Sequence, residues 1–224
     1  MDVNQRYVLK PKFGKLSEYS LQLKDILIYT TIKSFFNTQD QYCYPSYAAI
    51  AKRSGTSVHI VSKSVKRLEA AGLMDIWTVG KFHVRHYYRF DEKYALQKIP
   101  FTLLTAEDLS TNEKCMLLML ADFGDSSLDL EHAIEVVSEN SRLVKKTVAS
   151  HFKSLSLKGY LTIQILEDPL EQSVTRYLRF TKLKWSLNYD SSTTSLKADD
   201  VEPQSWGMSV VEMATRIFKN AGKQ

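Results

Sequence analysis

The chain has 224 residues, with 30 Lys+Arg against 25 Asp+Glu and a formal net charge of +5. A 44% hydrophobic share is that of a globular chain, and 8 Gly with 5 Pro exclude collagenous and low-complexity classes. Only two cysteines are present, Cys43 and Cys115, which excludes a disulfide-dense scaffold or a CxxC metal knuckle and suits a reduced, intracellular setting. No apolar run reaches the ~18 residues of a membrane span, and Met1 to Arg6 has no apolar core of a secretory signal. The expectation is a soluble, cytoplasmic chain without membrane contact, whose positive charge weakly favours a polyanionic partner.

In chain order, Leu23, Ile26, Leu27, Thr30 and Phe35 recur at helical spacing after polar Ser20. Ser46 then caps a short helix, Tyr47 to Lys52, which Ser54-Gly55 ends. Ser57 caps a longer helix with Val58, Val61, Val65 and Leu68 on its inward face, stopped by Gly72. From Leu73 to Val79 the apolar period drops toward 2, Gly80-Lys81 supplies a turn, and Val84 to Phe90 reads as the returning strand.

This order recurs. Residues 47–76 fall without a gap on 134–163 at an offset of 87, so that Ile50, Val61, Val65, Leu68, Gly72 and Met74 meet Val137, Val148, Phe152, Leu155, Gly159 and Leu161. A second anchor, V-x-x-Y-x-R-F, occurs at Val84–Phe90 and again at Val174–Phe180, now offset by 90. Two anchors in order imply a duplicated unit. The second copy reads as helices over 112–121, 130–138 and 141–157, a strand over 160–166, a loop over 167–172 and a strand over 173–181. Helix, short turn, helix and hairpin is the winged helix-turn-helix, whose second helix of the turn enters the major groove.

The stretch Cys43-Tyr44-Pro45-Ser46-Tyr47-Ala48-Ala49-Ile50-Ala51, followed by Ser57, Val61, Val65-Lys66-Arg67-Leu68-Glu69 and Gly72-Leu73, resembles winged helix-turn-helix domains of plasmid and phage replication proteins and bacterial regulators. The resemblance covers roughly residues 17–90 and implies DNA binding. The second copy keeps only the ending, Ser154 to Leu161, with no Pro-Ser before its second helix.

Charge separates the two copies. Residues 1–98 hold 16 Lys+Arg and 8 Asp+Glu, net +8; residues 99–190 hold 10 and 13, net −3; residues 191–224 hold 4 and 4. Neutralising duplex phosphates needs such a surplus, which only the first copy has. Its third helix turns His59, Ser62, Lys63 and Lys66 outward, with Arg67 at the edge and Thr56 and Ser57 at the N-terminus, where hydroxyls and amides suit phosphate. The wing adds Lys81, His83 and Arg85. In the second copy Lys146, Ala149, Ser150 and Lys153, flanked by Arg142 and Lys145, form the matching face, whereas its loop 167–172 is acidic and would repel a backbone.

The blander readings are a merely solvated Lys-rich face, a surface role for His83 and His86 instead of a metal pair, and a core role for Cys115. No GxxxxGK[ST], GxGxxG or HExxH occurs, so neither enzyme chemistry nor a metal or cofactor is expected. Residues 191–205 read as a flexible linker, and Trp206, Val210, Met213, Ile217 and Phe218 as the apolar face of a helix over 206–224. That face docks on the body, on a second copy in a homodimer, or on a replisome or regulatory protein.

The expected fold is α+β: two tandem winged helix-turn-helix domains, 1–98 and 99–190, joined through Gln97-Lys98-Ile99-Pro100, then linker and C-terminal helix. The expected function is sequence-specific binding of double-stranded DNA by recognition helices 57–71 and 142–157, with Arg142, Lys145, Lys146, Ser150 and Lys153 as DNA contacts of the second, nucleoid-associated when bound. Its process is replication initiation of a plasmid or phage, with transcriptional regulation of a mobile element as the alternative. A non-enzymatic assembly protein is the alternative of another class.

Overall fold

The computed structural model describes residues 6–80, 84–90, 96–123, 128–168 and 173–181. The linker 191–205 and the helix expected over 206–224 lie outside the described residues, as do Lys81, His83 and most of the loop 167–172. The fold is mixed helix and strand.

In the first half, β1 (Tyr7–Pro11) and a 3₁₀ turn (Leu16–Tyr19) lead into α1 (Leu23–Lys33), α2 (Tyr47–Ser54), α3 (Val58–Ala70), β2 (Met74–Val79) and β3 (Arg85–Phe90). A connecting segment follows, β4 (Leu96–Pro100) and α4 (Phe101–Thr105). The second half contains α5 (Thr111–Leu120), β5 (Leu128–Asp129), α6 (Leu130–Ser141), α7 (Lys145–Leu157), β6 (Leu161–Asp168) and β7 (Ser173–Phe180).

The caps behave as their residue types require. Ser46 Oγ accepts from the Ala49 amide and Ser57 Oγ from the Ile60 amide, which satisfies orphan donors at the starts of α2 and α3. Gly55 and Gly72, at φ of +69° and +67°, take left-handed conformations that cost other residues more, ending α2 and redirecting the chain after α3. In the second half Arg142 and Gly159 hold the matching corners at +61° and +74°.

The 87-residue offset reappears in three dimensions. α3 spans 58–70 and α7 spans 145–157, while Ile50, Val61 and Leu68 are fully buried and so are Val137, Val148 and Leu155. Met74 pairs with Phe90 and Leu161 with Phe180, the same register at the base of each hairpin. One difference lies at the second turn. The helix expected to begin at Ser141 begins instead at Lys145, because α6 continues to Ser141 and Arg142 is its left-handed cap. Ser141 Oγ accepts from the Leu143 amide across the turn rather than capping α7.

Gln97 to Pro100, expected as a joint, is strand β4, paired antiparallel with β1 so that Val8 faces Ile99. Across it the halves share one core. α1 and α5 pack on each other and are buried on nearly every side, Ile26, Leu27, Ile28 and Ile32 in α1 and Cys115 to Leu120 in α5. A helix apolar all round needs cover all round, which is why the stripe expected of α1 widens to its whole surface. Lys10 of β1, fully buried, pairs with Asp122 after α5, and Asp122 also accepts from the Phe13 amide at 3.1 Å. The Leu16 amide donates to Asn140 of α6 at 2.8 Å, and Thr111 Oγ1 donates to the Gly55 carbonyl at 2.9 Å.

Each half also buries a carboxylate at the third position of its first helix. Asp25 accepts from the Gln22 amide, Glu113 from the Ser110 amide, and each meets a cation from the end of its own third helix: Arg67 for Asp25, Lys158 for Glu113. Burial pushes the Glu113 carboxyl up, but hydrogen bonds from Lys158, Ser154 and Ser110 outweigh it and hold it down at about 2. A carboxyl depressed on folding contributes stability above its unfolded value and loses it as pH falls through the folded one. Glu113 therefore contributes on the order of 2–3 kcal/mol near neutrality, lost between about pH 5 and pH 2. Urea midpoints measured across that window should fall less steeply for Glu113→Gln than for wild type; parallel acid limbs would contradict the assignment.

Candidate nucleic-acid interface

α2 and α3 are joined by the three residues Gly55 to Ser57, and α3 lays Val61, Ser64, Val65 and Leu68 onto the core. What remains outward is set by the 100° step of the helix: His59, Lys63 and Lys66 are exposed, and Ser62 is half-buried between them. These four expected site residues lie on one face. Ser57 is exposed at the N-cap, and Thr56, half-buried, hydrogen-bonds Ser54 at 2.8 Å, tying the turn to the end of α2.

Two residues of α3 are placed differently from expectation. Val58, expected inward, is 49% exposed in the first turn, one residue after the cap, and the core begins only at Val61. It stands beside His59 and Ser62 as an exposed apolar group in the first turn of α3. The periodicity assigned Val58 to the core, which is why the sequence missed it. Arg67, expected at the edge of the contact face, turns inward. Its Nε and Nη2 donate to the two oxygens of Asp25 at 2.7 and 2.6 Å, and its guanidinium is raised above its ordinary value by that hydrogen bonding. Asp25 has no exposure, so Arg67 is the clamp of α3 on α1 rather than a free cation.

The hairpin brings Arg85, exposed, to the start of β3, next to Val84, while His86 stacks on Tyr47 of α2 at 4.8 Å and 4° between planes. Lys81 and His83 lie outside the described residues.

The second half presents a different face. Lys146 and Ser150 are exposed on α7, Lys153 is half-buried, and Ala149, expected outward, is buried. Lys145 is exposed but pairs with Glu135 of α6 at 2.9 Å. Arg142, expected to flank the helix N-terminus, caps α6 because of the left-handed corner described above. Val144, 68% exposed, stands at the N-cap of α7 without a side-chain cap bond, where Ser57 stands in α3. Glu131, Glu135 and Glu139 line one exposed face of α6 at four-residue spacing. At the offset of 87 the first half has Tyr44, Ala48 and Lys52 there. The corresponding surface carries a cation in the first half and three carboxylates, one of them paired with Lys145, in the second.

Both cysteines are buried, and burial raises each thiol to about 12, far from nucleophilic use. Among the described residues no three His, Cys, Asp or Glu come together as metal ligands, and no helix is long and apolar enough to cross a membrane.

Residues 19–74, which run from the end of the 3₁₀ turn to the first residue of β2, match the family model of a helix-turn-helix domain. The match supports a helix-turn-helix domain over this segment, with α3 the second helix of the turn, and a helix-turn-helix suggests DNA binding. No curated protein matches the chain.

Arg67→Ala leaves the Asp25 carboxylate buried without its cation and should destabilise the protein by about 2–4 kcal/mol in chemical denaturation, with Asp25→Asn in the same chain recovering part of the loss. Unchanged stability combined with weakened DNA binding would return Arg67 to the contact face.

Proposed function

We propose that the protein is a non-enzymatic, sequence-specific binder of double-stranded DNA that reads the major groove with α3. The observation that carries this reading is the outward set His59, Ser62, Lys63 and Lys66, with Val58, on the second helix of the matched helix-turn-helix. Lys63 and Lys66 stand one turn apart on the exposed face, within reach of guanine edges or flanking phosphates. Ser57 and the free amides of the first turn suit a phosphate, and Arg85, with Lys81 and His83 of the sequence between β2 and β3, suits the neighbouring backbone.

The second half is, in this reading, a duplicated winged helix; the 87-residue offset, the equal helix spans and the equal hairpin register support it. It has diverged toward protein contact. Glu131, Glu135 and Glu139 flank α7, and Lys145 is already paired, so Lys146, Ser150 and Lys153 add little attraction for a phosphate backbone.

For the biological process, replication initiation of a plasmid or phage is the first reading, supported by the resemblance of residues 17–90. Transcriptional regulation of a mobile element is the second, supported equally by the helix-turn-helix itself. Gel-shift titration against origin and promoter fragments of its own replicon, with and without residues 191–224, separates them: a truncation that binds but no longer supports replication favours initiation.

Against a duplex selected by the full chain from a random pool, Lys63→Ala/Lys66→Ala should lose several-fold to a hundredfold in affinity and about 2 in the slope of log K against log salt. Lys145→Ala/Lys146→Ala should lose less than about threefold, given the local pairing of Lys145. Equal losses for both pairs would show that α7 reads DNA as well.

A further inference from the structure

The Cys43 amide donates to the Tyr88 carbonyl at 3.0 Å and the Tyr88 amide returns a bond at 2.8 Å, which adds the segment around Cys43 to the free edge of β3. The result is a three-membered sheet, residues 42–44, β3 and β2. Side chains alternate along it: Cys43, Tyr88 and Met74 face the core, and Tyr42, Tyr44, Tyr87 and Trp77 share the opposite face. There Trp77 stacks on its register partner Tyr87 at 5.5 Å and 16°, while Tyr42 meets both edge-on at 5.8 and 5.6 Å. Tyr44 lies 5.6 Å from Tyr87. Tyr44 is 55% exposed and Trp77 38%, so part of both rings is open to solvent.

Four aromatic rings on the outer face of a hairpin contribute nothing to the core beneath it. The charges interleaved with them indicate what would. Arg85 and Arg89 flank Tyr87 along β3, and the one carboxylate of this face among the described residues, Asp75, pairs with Arg89 at 2.7 Å. The face is therefore aromatic with a cationic surplus, in a half of the chain that carries +8. Duplex bases are stacked inside the helix and cannot meet such rings. Unpaired bases can, with their phosphates left to the guanidinium groups.

We propose that this outer face of the hairpin sheet binds single-stranded DNA by stacking bases on Tyr44 and Trp77, with Arg85 on the backbone. The aromatic face is distinct from the outward face of α3 and shares only Arg85 with the duplex reading, so Tyr44 and Trp77 test it apart from duplex recognition.

The test uses the full chain and a labelled oligothymidine of about 15 nucleotides, followed by fluorescence anisotropy at two salt concentrations. Wild type should bind, more weakly at higher salt. Tyr44→Ala and Trp77→Leu should each weaken binding about tenfold or more, and Trp77→Phe should retain most of it. Affinity for the selected duplex should change less than about threefold in the same variants. Tyr44 precedes α2 outside the hairpin strands, so Tyr44→Ala decides the matter if Trp77→Leu lowers the melting temperature. A wild type that ignores the oligonucleotide, or a Tyr44→Ala variant that binds it as wild type does, overturns the proposal. Loss of self-association in sedimentation with unchanged oligonucleotide affinity overturns it as well, and assigns the face to contact between copies.

Discussion

Asp25 has no solvent exposure, and a carboxylate in such a place must be matched by a cation or it destabilises the fold by several kcal/mol. Arg67 matches it with two short bonds from the last turn of α3, while the Gln22 amide takes one of the same oxygens at the start of α1. One charge thus fixes the entry of α1 and the far end of α3 together. The geometry has a second effect. With Arg67 held against α1, rolling of the helix is opposed, and Lys66 and Lys63, about 100° and 40° around the axis from it, are held outward. The orientation of the candidate reading face follows from a contact at its edge.

The second half repeats the device with different chemistry. Glu113 occupies the position of Asp25, and Lys158, one residue beyond the end of α7, replaces the arginine. Because α1 and α5 pack directly on each other, the two carboxylate clamps sit on adjoining helices of one core, and β1 with β4 closes over the junction. A shared core of this kind holds the two third helices in fixed relation. Outside the core the halves part. Ser57 caps α3 where Val144 starts α7, and a face with Lys52 corresponds to one with Glu131, Glu135 and Glu139. Helix spans and hairpin register correspond between the halves while the surface charges do not.

The elements of the first half were legible because their signals are local: Ser46 and Ser57 are hydroxyl caps, Gly55 and Gly72 are left-handed corners, and Ile50, Val61, Val65 and Leu68 keep period. The V-x-x-Y-x-R-F anchors located both hairpins. Other features depend on partners far away in the chain. Tyr7–Pro11 becomes a strand because Leu96–Pro100, some 90 residues away in sequence, lies beside it. Arg67 looks like any basic residue on a helix edge, since its partner Asp25 is 42 positions away. Val58 and Ala149 fit the wrong face because periodicity gives direction around a helix but not where the core stops. Arg142 holds a left-handed corner where the first half has Gly55, so the second turn carried no glycine signal.

The central claim is that duplex DNA meets α3 and the adjoining hairpin, not α7. The direct measurement is an amide-resolved NMR titration of the isotope-labelled full chain with a selected duplex. Shifts concentrated at Thr56 to Lys66 and at Val84 to His86, with α7 unmoved, are the result the account predicts. Equal or larger shifts across Val144 to Lys153, or a quiet α3, would contradict it.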